Sequence, residues 1–251
     1  MVRRPLGLLA GPGGTLRRMA AGRAAGATGA SRTRPDDDLR RVDDAQRRFE
    51  AAIADLDDAQ VRAPCALPGW TVGHLLTHVA RNADSHVLRT HAAERGEMVD
   101  QYPGGFEGRA QAIEEGAARP AVELVEDVRT SGAAVMAVWA LVPDGAWANV
   151  TRDVGGRERP LSELPARRWQ ELEVHLTDLG GGRSPRDWPD EFVAIWLQRL
   201  REELPGRLPA GATAPQPGTL DERDELAWLY GRLDLASRPD LPVLPQLGPW
   251  A

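Results

Sequence analysis

The sequence of 251 residues contains no lysine and only one cysteine, and aromatic residues make up only 5% of it. The single cysteine, Cys65, cannot form a disulfide within the chain, which is typical of a reducing compartment, so we expect a cytoplasmic protein. No apolar segment approaches the roughly 20 residues that are needed to cross a bilayer, so we expect no membrane association. All 31 basic residues are arginine, which we attribute to a GC-rich coding sequence and not to function.

Charge is distributed unevenly along the chain. Residues 1–35 contain seven arginines and no acidic residue, whereas the whole chain has a formal net charge of −6, so residues 36–251 carry −13. An acidic body of this kind is repelled by a phosphate backbone, which argues against binding to nucleic acid. Residues 1–35 are nearly free of large apolar side chains after Leu9, so we predict that they form a disordered basic tail.

The remaining chain is predicted to be mainly helical. Apolar residues recur at helical spacing in four long segments: residues 36–58, 71–93, 106–141 and 161–179. Pro120 is expected to divide the third segment, and Thr71 and Ser162 are expected to be the N-caps of the second and fourth.

The segments between and after these helices predict smaller elements. Residues 147–159 are typical of a short hairpin that turns at Gly155 and Gly156. Shorter helices are predicted at residues 191–204 and 221–233, and the segment between them is rich in proline and glycine. We therefore predict a four-helix bundle in residues 36–204 and a small C-terminal module in residues 205–251.

Two of the predicted helices carry side chains that are typical metal ligands. The second contains His78, and the fourth contains Glu171 and His175 one turn apart, where an i, i+4 pair lies on one side with Cβ atoms roughly 5–6 Å apart. Two histidines and one glutamate form a common ligand set of catalytic zinc sites, which leave one coordination position open. We therefore predict a metal site at His78, Glu171 and His175 between the two helices.

The spacing leaves alternatives open. His74 lies one turn before the first of these ligands and could replace it, a buried histidine is more often hydrogen-bonded within a core, and the glutamate–histidine pair also occurs as a surface ion pair. Glu173 is expected on the wrong face to share an ion with His175. We expect His86 and His91 to face solvent, because they lie toward the loop end of their helix.

The stretch LPGWTVGHLLTHVARNAD, residues 67–84, and the stretch WQELEVHLTDL, residues 169–179, resemble two signatures of the mycothiol-dependent maleylpyruvate isomerase-like family. The similarity extends through Tyr102, Arg109 and residues 113–117, and it resumes at LAWLYGR and at the proline-rich ending, so it covers roughly residues 38–250. It implies a mainly α fold: a DinB-like metal-binding four-helix bundle with a short hairpin and a small C-terminal α/β module. Residues 206–218 show no clear strand, so we expect that module to be degenerate.

The same resemblance implies roles for individual residues. His78, Glu171 and His175 match the family's ligands of zinc or another divalent metal, and Arg109 and Arg232 match arginines near the active site. An arginine there can hold a substrate carboxylate with two parallel hydrogen bonds, although the alternative of a surface ion pair stays open for both.

The resemblance further implies an actinobacterial enzyme with mycothiol, a low-molecular-weight thiol, as co-substrate. The metal-bound thiolate would add to the cis double bond of an electrophile such as maleylpyruvate, and rotation followed by expulsion of the thiolate would give the trans isomer. The alternatives are a mycothiol S-transferase that acts on other electrophiles and a non-catalytic binding protein. We expect a monomer or homodimer whose partners are small molecules. Cys65 is not expected to be a nucleophile, because no basic group is adjacent to it in the sequence.

Overall fold

The computed structural model describes residues 34–248, so the predicted basic tail of residues 1–35 lies outside the described residues except for Arg34 and Pro35. The α-helices are α1 (Asp36–Ile53), α2 (Asp58–Arg62), α3 (Val72–Glu94), α4 (Gly105–Ala117), α5 (Ala121–Leu141), α6 (Leu164–Asp178), α7 (Asp190–Glu203) and α8 (Glu222–Leu229). The strands β1 (Val150–Arg152) and β2 (Glu158–Pro160) form an antiparallel hairpin in which Thr151 pairs with Arg159. The predicted mainly α fold and the predicted hairpin are confirmed.

Four long helices, α1, α3, α5 and α6, form a bundle in which α1 and α3 each pack against both α5 and α6. In α1 the apolar side chains of Val42, Phe49 and Ile53 are fully buried and follow the helical repeat. α3 begins at Val72 because Thr71 and His74 form a capping box that satisfies free amides of the first turn. The expected N-cap at Thr71 is therefore confirmed.

A close approach between α3 and α4 brings α4 beside the first turns of α3. A Cβ at Gly73 would lie 2.2 Å from the carbonyl oxygen of Ala117, and a Cβ at Gly116 would lie 2.5 Å from the side chain of Thr77. Both positions therefore need a residue without a side chain if the two helices are to keep this distance. As a result, a side chain from α4 can contact the bundle interior next to α3.

Helices α7 and α8 pack against the bundle through aromatic side chains. Trp169 on α6 contacts Phe192 on α7, which in turn stacks against Tyr230 directly after α8. Within residues 205–248 the structure forms α8 and short 3-10 turns but no strand, so the β part of the implied α/β module is absent there, in line with its expected degeneracy. Proline cannot donate a hydrogen bond to a neighbouring strand, and glycine weakens a strand, which accounts for the absence of a strand in this proline- and glycine-rich segment.

Several element boundaries differ from the prediction. Ser162 lies in a 3-10 turn (Leu161–Glu163) and does not cap α6, which begins at Leu164 with a proline in its first turn, where proline is tolerated. α1 ends at Ile53 and α8 at Leu229, both earlier than expected. Among the described residues, every helix is too short or too polar to reach across a bilayer.

Candidate metal centre

Three side chains from two facing helices meet in the bundle interior. α3 supplies His78, and α6 supplies Glu171 and His175 from successive turns. His78 Nε2 lies 3.1 Å from Glu171 Oε2 and 3.1 Å from His175 Nε2, and the last two atoms are 3.2 Å apart. Both imidazoles are buried, whereas the Glu171 side chain is 21% exposed, so solvent can reach the group on the carboxylate side.

This triangle of donor atoms has the dimensions of one face of a tetrahedral metal site. Nitrogen and oxygen ligands that lie about 2.0–2.1 Å from a zinc ion are about 3.3 Å from one another at tetrahedral angles. Within residues 34–248, this is the one group of three histidine, cysteine or acidic side chains whose donor atoms are close enough to share an ion. The residues present therefore fit a divalent metal with three protein ligands and an open fourth position.

The electrostatic environment favours the metal-binding forms of His78 and Glu171. Burial lowers the pKa of His78 to about 4, so its imidazole is neutral at pH 7. Burial alone would raise the pKa of Glu171, but hydrogen bonds with His175 and His78 outweigh it and hold that pKa well below its usual range. A neutral imidazole and an ionised carboxylate are the species that coordinate metals.

A second carboxylate lies behind His175. The side chain of Asp178 is 1% exposed, and its Oδ2 accepts a hydrogen bond from His175 Nδ1 at 2.8 Å. Arg232 donates to both oxygens of Asp178, from Nε at 2.7 Å and from Nη2 at 2.8 Å. Asp178 was not predicted as a site residue, although an acidic residue three positions after a candidate ligand on the same helix is a usable signal.

The turn after α8 directs Arg232 toward the bundle. The backbone amide of Gly231 donates to the carbonyl of Trp228 at 2.9 Å, and the amide of Arg232 donates to the carbonyl of Ala227 at 2.7 Å. This Schellman turn requires a left-handed residue, and Gly231 has a φ of 68°. The glycine before Arg232 therefore ends the helix and sets the direction in which the arginine leaves it.

Arg109 on α4 contacts the other histidine of the group. Its Nη2 lies 3.1 Å from His78 Nδ1, and its guanidinium carbon lies 5.8 Å from the centre of the Tyr102 ring. Trp70, just before α3, is edge-on to His78 with 5.8 Å between the ring centres. Neither aromatic residue was predicted from the sequence to belong to the site, because aromatic side chains of helical proteins belong more often to the core.

Three other side chains that the sequence analysis considered lie outside the group. His74 Nδ1 accepts the backbone amide of Thr71, and its Nε2 lies 3.2 Å from Glu114, so His74 caps α3 and does not replace His78. The buried carboxylate of Glu173 instead forms an ion pair with the partly exposed Arg48. Cys65 is half-buried, and burial raises the pKa of its thiol, which makes it a poor nucleophile.

The two remaining histidines of α3 differ from each other. His91 is exposed, as expected. The expectation that His86 faces solvent is wrong, because this side chain is 1% exposed and lies between Arg89 and Trp139. α3 is covered by α4, α5 and α6 together, so polar positions on several of its sides become buried.

The overall structure is similar to two solved structures of a mycothiol-dependent maleylpyruvate isomerase, one of them a mutant. In both comparisons the TM-score is 0.74 and the sequence identity 21%, over 86% of this chain and 97% of that chain. YfiT from Bacillus subtilis, a protein with an unusual four-helix bundle topology, has a TM-score of 0.49 and 15% identity over 63% of this chain and 92% of that chain. No curated protein matches the sequence.

The sequence of the bundle matches a known family. Residues 42–180 fit the family model of the mycothiol maleylpyruvate isomerase N-terminal domain. The matched segment runs from within α1 past the end of α6, so it includes His78, Glu171 and His175 and more than half of the chain. The resemblance inferred from the two helix motifs is thereby confirmed, and the chain belongs to the mycothiol maleylpyruvate isomerase N-terminal domain family.

Proposed function

We propose that the protein is a zinc-dependent enzyme that uses mycothiol to isomerise maleylpyruvate, or a closely related electrophile, from cis to trans. The observation that carries the proposal is the triangle formed by His78 Nε2, Glu171 Oε2 and His175 Nε2, with sides of 3.1, 3.1 and 3.2 Å. We propose zinc because two histidines and one glutamate around an open position are typical of catalytic zinc. The substrate comes from the similar structures, which are those of a mycothiol-dependent maleylpyruvate isomerase.

A metal at this position would lower the pKa of a thiol, so that the thiolate is present at neutral pH. The surrounding side chains would hold the second substrate. An imidazole that gives Nε2 to a metal keeps its proton on Nδ1, so His78 could not then accept a hydrogen bond from Arg109. The half-buried guanidinium of Arg109 would be left to hold a carboxylate of the electrophile with two N–H groups.

In the proposed reaction the mycothiol thiolate adds to one carbon of the cis double bond. A carbon–sulfur bond forms while the π electrons move onto the conjugated carbonyl, and the carbon–carbon single bond that remains can rotate. Return of the electrons restores the double bond in the trans form and expels the thiolate, so neither thiol nor oxidant is consumed. Arg109 would fix one end of the substrate during the rotation.

The proposal also includes a division of the chain into two domains and a cellular compartment. Residues 36–204 form the metal-binding bundle, and residues 205–251 form a small module that contributes Arg232 to the centre. We place the protein in the cytoplasm, because its Cys65 is a free thiol and a thiol co-substrate must stay reduced.

The experiment is to incubate the full-length zinc-loaded protein with mycothiol and maleylpyruvate. Proton NMR follows the cis and trans isomers, and a colorimetric thiol assay follows mycothiol. We expect the trans isomer to form with no net loss of thiol, and we expect Glu171→Ala to abolish the reaction. Glu114→Ala is the matched control, because Glu114 also pairs with a histidine but that histidine, His74, lies outside the group.

Two other outcomes would contradict the proposal, and each would indicate a different function. A stable mycothiol conjugate with this or other electrophiles, and no isomerisation, would indicate an S-transferase on the same bundle. Binding of zinc and mycothiol with neither isomer nor conjugate formed would indicate a binding protein without catalysis.

A further inference from the structure

Arg232 is linked to the candidate metal centre through Asp178. The edge of its guanidinium formed by Nε and Nη2 is engaged with both oxygens of Asp178, at 2.7 and 2.8 Å, and Nη1 donates to the carbonyl of Tyr230 at 2.9 Å. The edge with which an arginine binds a carboxylate is therefore occupied by a carboxylate of the protein. A substrate would have to break a buried ion pair to take its place, which is costly.

Asp178, which Arg232 holds in place, also contacts His175. Its Oδ2 accepts a hydrogen bond from Arg232 and another from His175 Nδ1, each at 2.8 Å. A neutral His175 with its proton on Nδ1 would direct the lone pair of Nε2 toward the other two candidate ligands. A hydrogen-bonded carboxylate behind a ligating histidine fixes both the tautomer and the orientation of the ring.

We infer that Asp178 and Arg232 are positioning residues that hold His175 in its ligating orientation, so that the C-terminal module supports the metal and not the substrate. The inference rests on the proposed metal centre. Asp178 is almost completely buried, and a buried carboxylate is stable only when it is paired and hydrogen-bonded. Without Arg232, the one side-chain hydrogen-bond partner left to Asp178 among the described residues is His175, and this pair loses its fixed geometry.

Arg109 provides the contrast within the same centre. It forms no ion pair with a carboxylate among residues 34–248, and its Nη2 contacts the imidazole of His78. Its paired N–H groups thus remain available to an anion. The two arginines that the family resemblance places near the active site have different tasks: Arg109 faces the substrate, and Arg232 supports a ligand.

Metal affinity tests the inference directly. We would titrate the full-length wild type, Arg232→Gln and Asp178→Asn with zinc in competition with a chromophoric chelator. Both variants should bind zinc 10- to 100-fold more weakly, the range typical of lost outer-shell partners. Arg201→Gln is the matched control, because Arg201 forms the same two-point pair with Glu225, at 2.8 and 2.5 Å, between α7 and α8.

Three further measurements separate positioning from folding. The cobalt-substituted Arg232→Gln and Asp178→Asn proteins should show a changed ligand-field spectrum, whereas Arg201→Gln should not. Arg232→Lys keeps the charge but donates from a single point, so its zinc affinity should lie between those of the wild type and Arg232→Gln. If Arg232→Gln does not fold, Arg232→Lys should still bind zinc more weakly than the wild type. In the Asp178→Asn background, Arg232→Gln should weaken zinc binding less than threefold further.

The outcomes distinguish this inference from the proposed function. A wild type that binds no zinc would contradict the metal centre itself. If the wild type binds zinc and Arg232→Gln binds it equally tightly with an unchanged cobalt spectrum, the inference alone is wrong. In that case a raised KM for the electrophile would assign Arg232 to the substrate.

Discussion

Helix α3 carries two buried histidines about two turns apart; each has an arginine beside it, but only the first also has a carboxylate beside it. His78 Nε2 lies 3.1 Å from the carboxylate of Glu171. His86 Nδ1 lies 3.2 Å from Arg89 Nη2, and its ring is edge-on to Trp139 with 5.4 Å between the ring centres. The same side chain on the same helix is thus a candidate metal ligand in one region and part of the core in the other.

We call the second region the arginine end and define it by His86, Arg89 and Arg168. Neither arginine forms an ion pair with a carboxylate in residues 34–248. Arg89 donates to its neighbour His86 and, at 3.3 Å, to a carbonyl of the preceding turn. Arg168 is fully buried and donates to three neutral acceptors at 2.8, 2.9 and 3.2 Å, which are Val79 O, Asn82 Oδ1 and Gln46 Oε1.

This difference shows what makes a buried histidine a candidate ligand. Burial lowers the pKa of Arg89 and of Arg168 to about 10, so both remain charged at neutral pH. These two cations oppose a third positive charge at His86. Burial, and after it the charge of Arg89, also hold the pKa of His86 well below its usual range. Both histidines are therefore neutral, and it is the carboxylate of Glu171 that distinguishes the site at His78.

The largest expected difference between the two regions is in metal binding. His78→Ala removes one of three proposed ligands, so we expect zinc affinity to fall by at least about 100-fold, more than for the loss of an outer-shell partner. His86→Ala should leave the affinity unchanged, because no atom of His86 belongs to the ligand group. Zinc content after dialysis and competition titration with a chelator measure both.

Circular dichroism would verify that each of these variants is folded. Retention of one zinc per chain by His78→Ala would remove the distinction between the two regions. Loss of zinc by a folded His86→Ala variant would also contradict the distinction, because it would show that His86 contributes to metal binding.

Helical periodicity and capping residues predicted a large part of this arrangement. The N-cap at Thr71 and the i, i+4 pair of Glu171 and His175 are local properties, so the sequence contains them. The burial of His86 and the contact between Asp178 and Arg232 were not predicted. The first depends on three helices that cover α3, and the second joins residues 54 positions apart, so both depend on tertiary packing that the periodicity of one segment does not encode.

The next largest effect should be on stability at the arginine end. Arg168→Met removes the donors that satisfy three buried acceptors, so we expect the free energy of unfolding to fall by about 2–4 kcal/mol. Urea denaturation of the metal-free protein measures this change without a contribution from zinc. The exposed control Arg201→Met should change it by less than about 1 kcal/mol. An Arg168→Met protein as stable as the wild type would show that this network does not hold the bundle together.

The smallest effect should come from Arg89, although it is nearly as buried as Arg168. Its two hydrogen bonds are long, at 3.3 and 3.2 Å, and no carboxylate in the described chain forms an ion pair with it to offset the cost of burying its charge. Arg89→Met keeps much of the apolar stem and removes that cost, so we expect the free energy of unfolding to stay within about 1 kcal/mol of the wild type. The same urea denaturation measures it. A loss as large as that of Arg168→Met would contradict this ranking, and it would mean that the two arginines stabilise the bundle as one unit.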